Sequence, residues 1–115
     1  MHEIGVVFYV VRDVCQVAEE NQVEKVASVT LQIGEVSGII HEYLIDCWNW
    51  ARKKEPVLEE AELIIEQIDA VSFCQDCGQE YPTVQYAKSC PHCGSENTYL
   101  QRGNEFLIKE ISHFQ

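Results

Sequence analysis

Apolar residues recur at helical spacing from the start of the chain. Ile4, Val7, Phe8, Val11, Val14, Cys15 and Ala18 fall on one side of a 3.6-residue period, which predicts an amphipathic helix over residues 3–20, broken at Asn21-Gln22. Over residues 26–33 the period drops to two. Val29, Leu31 and Ile33 alternate with Ser28, Thr30 and Gln32, the pattern of a strand with one buried face. Gly34-Glu35-Val36-Ser37-Gly38 reads as the turn that leaves it. A second helix is predicted over residues 39–54, with Ile40, Leu44, Cys47, Trp48 and Ala51 on its core side and Pro56 ending it. Residues 62–69, with Leu63, Ile64, Ile65 and Ile68, predict a second strand. Gly103-Asn104 precedes a third at residues 106–111.

Residues 73–103 interrupt this order with two matched cysteine pairs, Cys74/Cys77 and Cys90/Cys93, each followed directly by a glycine, Gly78 and Gly94. Two residues between thiols let one tight turn present both to a single ion. The glycine supplies the positive φ with which the chain turns away. Two such knuckles make a tetrahedral four-sulfur site. A thiolate set of this kind takes zinc or iron, and with no aromatic cage evident around the knuckles zinc is expected. A closed four-thiolate shell leaves no position for a reacting water, so the ion is expected to be structural. His92, inside the second knuckle, reads as exposed or supporting, with an exchange against a neighbouring cysteine as the alternative.

The expected fold class is α+β: a small mixed three-stranded sheet covered by two helices, with an inserted zinc-ribbon module. Residues 1–72, completed by a C-terminal strand in 104–115, form the α/β domain, and 73–103 form the ribbon. The strand–helix–strand unit favours a parallel crossover, and the last strand can return antiparallel.

Charge narrows the partners. The net charge is −11, with only Lys88 and Arg102 as cations between residues 73 and 103, so a nucleic-acid-binding ribbon is not expected. No apolar run approaches the ~20 residues of a membrane span, so no membrane partner is expected either. The first residues show no basic-then-apolar leader pattern, and the expected location is the cytoplasm, where paired cysteines read as metal ligands rather than disulfides.

Met1-His2-Glu3 admits two readings on its residues alone. A terminal histidine is often simply frayed. Alternatively, the Met1 amine, the backbone nitrogens of His2 and Glu3 and the His2 imidazole can close adjacent chelate rings, a planar nitrogen set favoured by nickel(II) and copper(II). Glu3 also suits a helix N-terminus as an ordinary acid complementing the dipole.

Taken together, Met1-His2-Glu3 opening a helix, Leu31-Gln32-Ile33-Gly34-Glu35-Val36-Ser37-Gly38 leading into a second one, and paired CxxC knuckles before a final strand resemble the HypA/HybF family, along the whole chain. The resemblance implies a nickel metallochaperone rather than an enzyme. It implies Ni(II) as cargo at Met1, His2 and Glu3, and structural Zn(II) at Cys74, Cys77, Cys90 and Cys93. It also implies a HypB-type GTPase as partner, the [NiFe]-hydrogenase large subunit as recipient and, in some bacteria, the maturation of urease. Gly5 departs from the residues usual there and weakens the first helical turn by about 1 kcal/mol relative to alanine.

Other residues have plainer readings. Cys15 and Cys47 are expected as small core residues, His41 as solvated, Trp48 as core and Trp50 as off the core stripe. No nucleophile–base constellation is recognisable, and the 34–38 turn lacks the Gly-Lys-Ser/Thr ending of a phosphate loop. A four-cysteine iron electron carrier is the remaining rival.

Overall fold

A computed structural model describes residues 3–114. They form two compact units. One holds the described residues up to Gln32, Gly38–Glu66 and those from Leu107 onward; the other holds Ile33–Ser37 and Gln67–Phe106.

In the first unit, α1 (Glu3–Glu20) packs against α2 (His41–Ala51). The buried face of α1 is Val6, Val7, Val10, Val11, Val14 and Ala18, rotated from the expected stripe so that Ile4 and Phe8 are exposed. Residues 6–11 are apolar without a break, and two overlapping arcs then fit the same helical period. Gln22 takes φ 58° just past the helix, and the Val23 N–H donates to the Ala18 carbonyl at 2.8 Å, closing the C-terminus where Asn21-Gln22 was expected to break it. Ile40 is extended and exposed, so α2 begins at His41. Two short 3-10 turns, Arg52–Lys54 and Pro56–Leu58, follow it. Trp48 is buried, and its indole N–H donates to the Ala61 carbonyl at 3.0 Å. A buried indole without that partner would cost a hydrogen bond's worth of desolvation.

The strands β1 (Val26–Gly34), β2 (Glu62–Ile68) and β6 (Phe106–His113) make a three-stranded sheet in the order β2-β1-β6. Gly34 N–H meets the Glu105 carbonyl at 2.8 Å while Phe114 N–H meets the Lys25 carbonyl at 3.2 Å, so β6 runs antiparallel to β1. Gln32 meets Glu66, and Glu35 N–H donates to the Ile68 carbonyl, so β2 advances alongside β1 in parallel. The central strand is nearly buried throughout, whereas both edge strands are half-exposed. That is the mixed sheet the hydrophobic pattern predicts.

The second unit contains a sheet of its own, β4-β3-β5, from β3 (Val71–Cys74), β4 (Glu80–Pro82) and β5 (Thr98–Arg102), with a one-turn helix α3 (Thr83–Tyr86). Both pairings are antiparallel, with Ser72 opposite Tyr81 on one side and Leu100 on the other. Strands this short carry too few residues to show a period, so the sequence pattern does not reveal them. The Ile33–Ser37 segment belongs to this unit through its hydrogen bonds. The Glu35 carboxylate accepts the Ala70 N–H at 2.8 Å, and the Val36 N–H donates to the Gly103 carbonyl at 2.9 Å.

Candidate metal centre

The two knuckles fold as near copies of each other. Gly78 N–H donates to the Cys74 carbonyl at 2.9 Å, and Gly94 N–H to the Cys90 carbonyl at 2.8 Å. Cys74 N–H donates to the Gln79 carbonyl at 3.0 Å, and Cys90 N–H to the Ser95 carbonyl at 2.9 Å. Gly78 and Gly94 take φ of 74° and 77°, the left-handed conformation expected of them. The sequence repeat is thus a structural repeat, and it brings two thiol pairs face to face.

All four sulfurs lie within 4.8 Å of one another. Cys74 Sγ is 3.6 Å from Cys93 Sγ, and Cys77 Sγ is 3.6 Å from Cys90 Sγ. A tetrahedral ion with bonds of about 2.3 Å spaces its sulfurs at about 3.8 Å, so the donor set fits a four-coordinate thiophilic metal. Cys74 and Cys90 are buried, Cys77 is half-buried and Cys93 is exposed.

Backbone donors converge on these sulfurs. The His92 N–H points at Cys90 Sγ from 3.4 Å, Gln79 donates to Cys77 and Ser95 to Cys93. Burial first of all pushes the Cys77 thiol up to about 12, against the Gln79 N–H, which lowers it; the neighbouring Cys90, Cys74 and Cys93 sulfurs add to the rise. Burial also opposes ionisation of Cys90, but the N–H groups of Cys93 and His92, with the Cys77 and Cys74 thiols, hold it down to about 7. A cation entering the site displaces the protons that the thiols share.

A second layer ties the knuckles together. The Asp76 carboxylate, in the first knuckle, accepts the Ser95 hydroxyl and the Asn97 amide, the latter at 3.1 Å. Gln75 N–H donates to the Asn97 carbonyl at 3.0 Å. These bonds hold the Asp76 carboxyl below its ordinary range, Ser95 first and Asn97 second. Sequence reading did not single out Asp76, Ser95 or Asn97; an acid inside one knuckle and a hydroxyl just after the other were the available signals.

One expectation needs correction. Tyr81 is buried in the same cluster as Cys74 and Cys90, its hydroxyl donating to the Ala87 carbonyl at 2.8 Å. An aromatic does flank the sulfurs, then, brought there by β4 pairing with β3. His92 is exposed.

Of the terminal triad, Met1 and His2 lie outside the described residues. Glu3 opens α1, half-buried, beside a shallow depression lined also by Ile4, Tyr43, Asp46 and Cys47. Cys15 and Cys47 are half-buried rather than core. Burial, reinforced by the Glu55 charge, raises the Cys15 thiol, which keeps it protonated and unreactive. No helix among the described residues is long and apolar enough to cross a membrane.

A small mixed α+β chain with a four-cysteine metal-binding cluster is the class these features define. Residues 1–113 match the family model described as HypA, hydrogenase/urease nickel incorporation, metallochaperone. The hydrogenase maturation factor HypA of Chlorobium phaeobacteroides (strain BS1) is 35% identical over 112 residues, covering 97% of this chain and 98% of that protein. HypA of Geobacter metallireducens (strain ATCC 53774 / DSM 7210 / GS-15) is 32% identical over 96% of this chain and 97% of its own length. The solution structure of the Ni metallochaperone HypA from Helicobacter pylori superposes with a TM-score of 0.71 at 26% identity, covering 98% of this chain and 97% of that one. The chain belongs to the HypA family of hydrogenase-maturation nickel metallochaperones.

Proposed function

We propose that this protein carries nickel(II) at Met1, His2 and Glu3 and delivers it during maturation of [NiFe]-hydrogenase, with urease as a further recipient, while Cys74, Cys77, Cys90 and Cys93 hold a structural zinc. The match to the nickel-incorporation family over residues 1–113 supports this reading, a span within which Met1-His2-Glu3 and the four cysteines all lie. Zinc supplies the four-sulfur site with a redox-inert tetrahedral centre of crosslinks; the protein's own part is to pre-place the thiols and aim N–H groups at them. The ribbon of residues 73–103 folds around that centre as a module. Nickel transfer takes place in the cytoplasm with a HypB-type GTPase and the hydrogenase large subunit. The chain binds and hands on its cargo and performs no chemistry on it.

A planar nickel site on the Met1 amine, the His2 imidazole and the backbone nitrogens of His2 and Glu3 depends on chain position as much as on side chains. Nickel titration of the native terminus, a one-residue N-terminal extension and His2→Ala tests it, using C-terminally tagged protein. The native form binds specifically and the other two do not, while metal at the cysteines and the helical signal are unchanged. Binding releases protons from the amine, imidazole and amides, so affinity falls as pH is lowered. Equal binding by all three forms refutes the terminal site.

A further inference from the structure

The chain is acidic, yet one stretch of its surface is aromatic and basic. Phe8 on α1 and Trp50 on α2 are 48% and 52% exposed and meet edge to face, with ring centroids 6.2 Å apart. Lys54 Nζ stands 3.8 Å over the Trp50 ring. One residue along α1, Tyr9 is 50% exposed; the Arg12 guanidinium carbon lies 5.5 Å over its ring, and Arg12 Nε is 3.8 Å from the Asp13 carboxylate. Arg52 and Lys53 occupy the same turn as Lys54, so four of the chain's eight basic residues sit on these two short stretches.

Leaving two large rings half in water wastes apolar burial worth about 1 kcal/mol or more each, and contiguous exposed apolar surface marks a binding site more often than it marks neglect. Trp, Tyr and Arg are also the residue types that dominate binding energy at protein interfaces. A cation held over a ring presents an apolar centre and a positive charge at one spot. The complement is a surface with an apolar side chain to set against Phe8 and Trp50, and carboxylates to meet Lys54 and Arg12.

We propose that the Phe8–Trp50 seam, with Lys54 and Arg12, docks an acidic, apolar-anchored segment of a different protein. Charge decides among the occupants. A symmetric dimer through this patch would set cation against cation, because a two-fold interface apposes the same residues. Nucleic acid and anionic lipid present extended arrays of negative charge that would meet the rest of the acidic surface, net charge −11, as well as the patch. A partner segment bearing its own carboxylates needs only the local cations. The proposal does not depend on which metal the chain carries.

The test places a photo-crosslinking benzoylphenylalanine at Tyr9, inside the patch, and a control probe at Tyr86 in the other unit, in full-length protein in cells. Crosslinked peptides are sequenced. The expected result is a crosslink from position 9, several-fold stronger than from position 86, to a carboxylate-rich segment of one other polypeptide. Lys54→Glu and Trp50→Ala in the position-9 background each lower its yield about tenfold, as loss of an interface hot spot does, with unchanged circular dichroism. A crosslink to a second copy of this chain, to nucleic acid or lipid, or to a segment without carboxylates overturns the proposal. So does a yield no higher than at position 86, or one indifferent to Lys54→Glu.

Discussion

The backbones of Gly34 and Gly103 touch: a Cβ built on Gly34 would stand 2.0 Å from the Gly103 carbonyl oxygen. Gly103 in turn has φ +116° and faces Ala70 Cα at 2.3 Å from its own would-be Cβ. The Val36 N–H reaches the Gly103 carbonyl from the same turn at 2.9 Å. No side chain fits at either glycine, and the obstructing atoms are backbone or the Ala70 Cβ fixed to it, none of which can rotate aside. Gly34→Ala and Gly103→Ala are each expected to lower stability by about 3 kcal/mol, read by urea denaturation. Gly5, with nothing near its Cβ position, makes the contrast; Gly5→Ala raises stability by about 0.5–1 kcal/mol. Equal effects at positions 5 and 34 would contradict the close approach.

Removing the metal should undo one module and spare the other. Replacing Cys74 or Cys93 by serine is expected to release the ion and abolish protection of residues 73–103 from hydrogen exchange. The amides of α1 and β1 stay protected, because their core contains none of the ligands. Structural zinc of this type contributes on the order of 10 kcal/mol to folding of its segment. Protons compete for the same thiolates, so metal is retained at neutral pH and lost on acidification. Loss of the whole fold on chelation would count against a separate module, and a red protein as isolated would mean iron.

The Asp76 clasp should govern how long the ion stays. Asp76→Ala frees Ser95 and Asn97 and uncouples the two knuckles without touching a ligand. Release to a chromogenic chelator is expected to quicken about tenfold, the usual consequence of losing a group that orients metal ligands. Asp76→Asn, which keeps one acceptor oxygen, restores part of the retention. An unchanged release rate for the alanine variant would show that the knuckles are held by the ion alone.

A polar row crosses the sheet from β2 through β1 to β6. The Glu66 carboxylate accepts Lys109 Nζ at 2.9 Å and Gln32 Nε2 at 3.4 Å. Lys109 first, then Gln32, holds Glu66 below the usual carboxylate range. A carboxyl lowered in the folded state adds stability above its unfolded pKa of about 4.3, and that contribution disappears as pH falls. NMR titration should show Glu66 rising toward its ordinary value in Lys109→Ala. No movement would mean that the ion pair is absent in solution.

The readings that succeeded from residues alone were those whose cause is local. The CxxCG repeats encode their own turns, because two intervening residues and a left-handed glycine leave little freedom in where the sulfurs point. The alternation of Val29, Leu31 and Ile33 marks a strand whatever surrounds it, and all three are buried. The sequence likewise carries the order of helices and long strands and, through three separated motifs, the family.

What the local pattern left open, the packing decided. Which arc of α1 faces inward could not be read from an unbroken apolar run, and contact with α2 turned Val6 and Val10 in and Phe8 out. Tyr81 lies seven residues from Cys74 in sequence but reaches it only because β4 folds back on β3. Glu35 finds Ala70, and Gly34 finds Gly103, across separations of 35 and 69 residues. Such pairings depend on where the backbone crosses itself. That is a property of the assembled chain, which no window along the sequence contains.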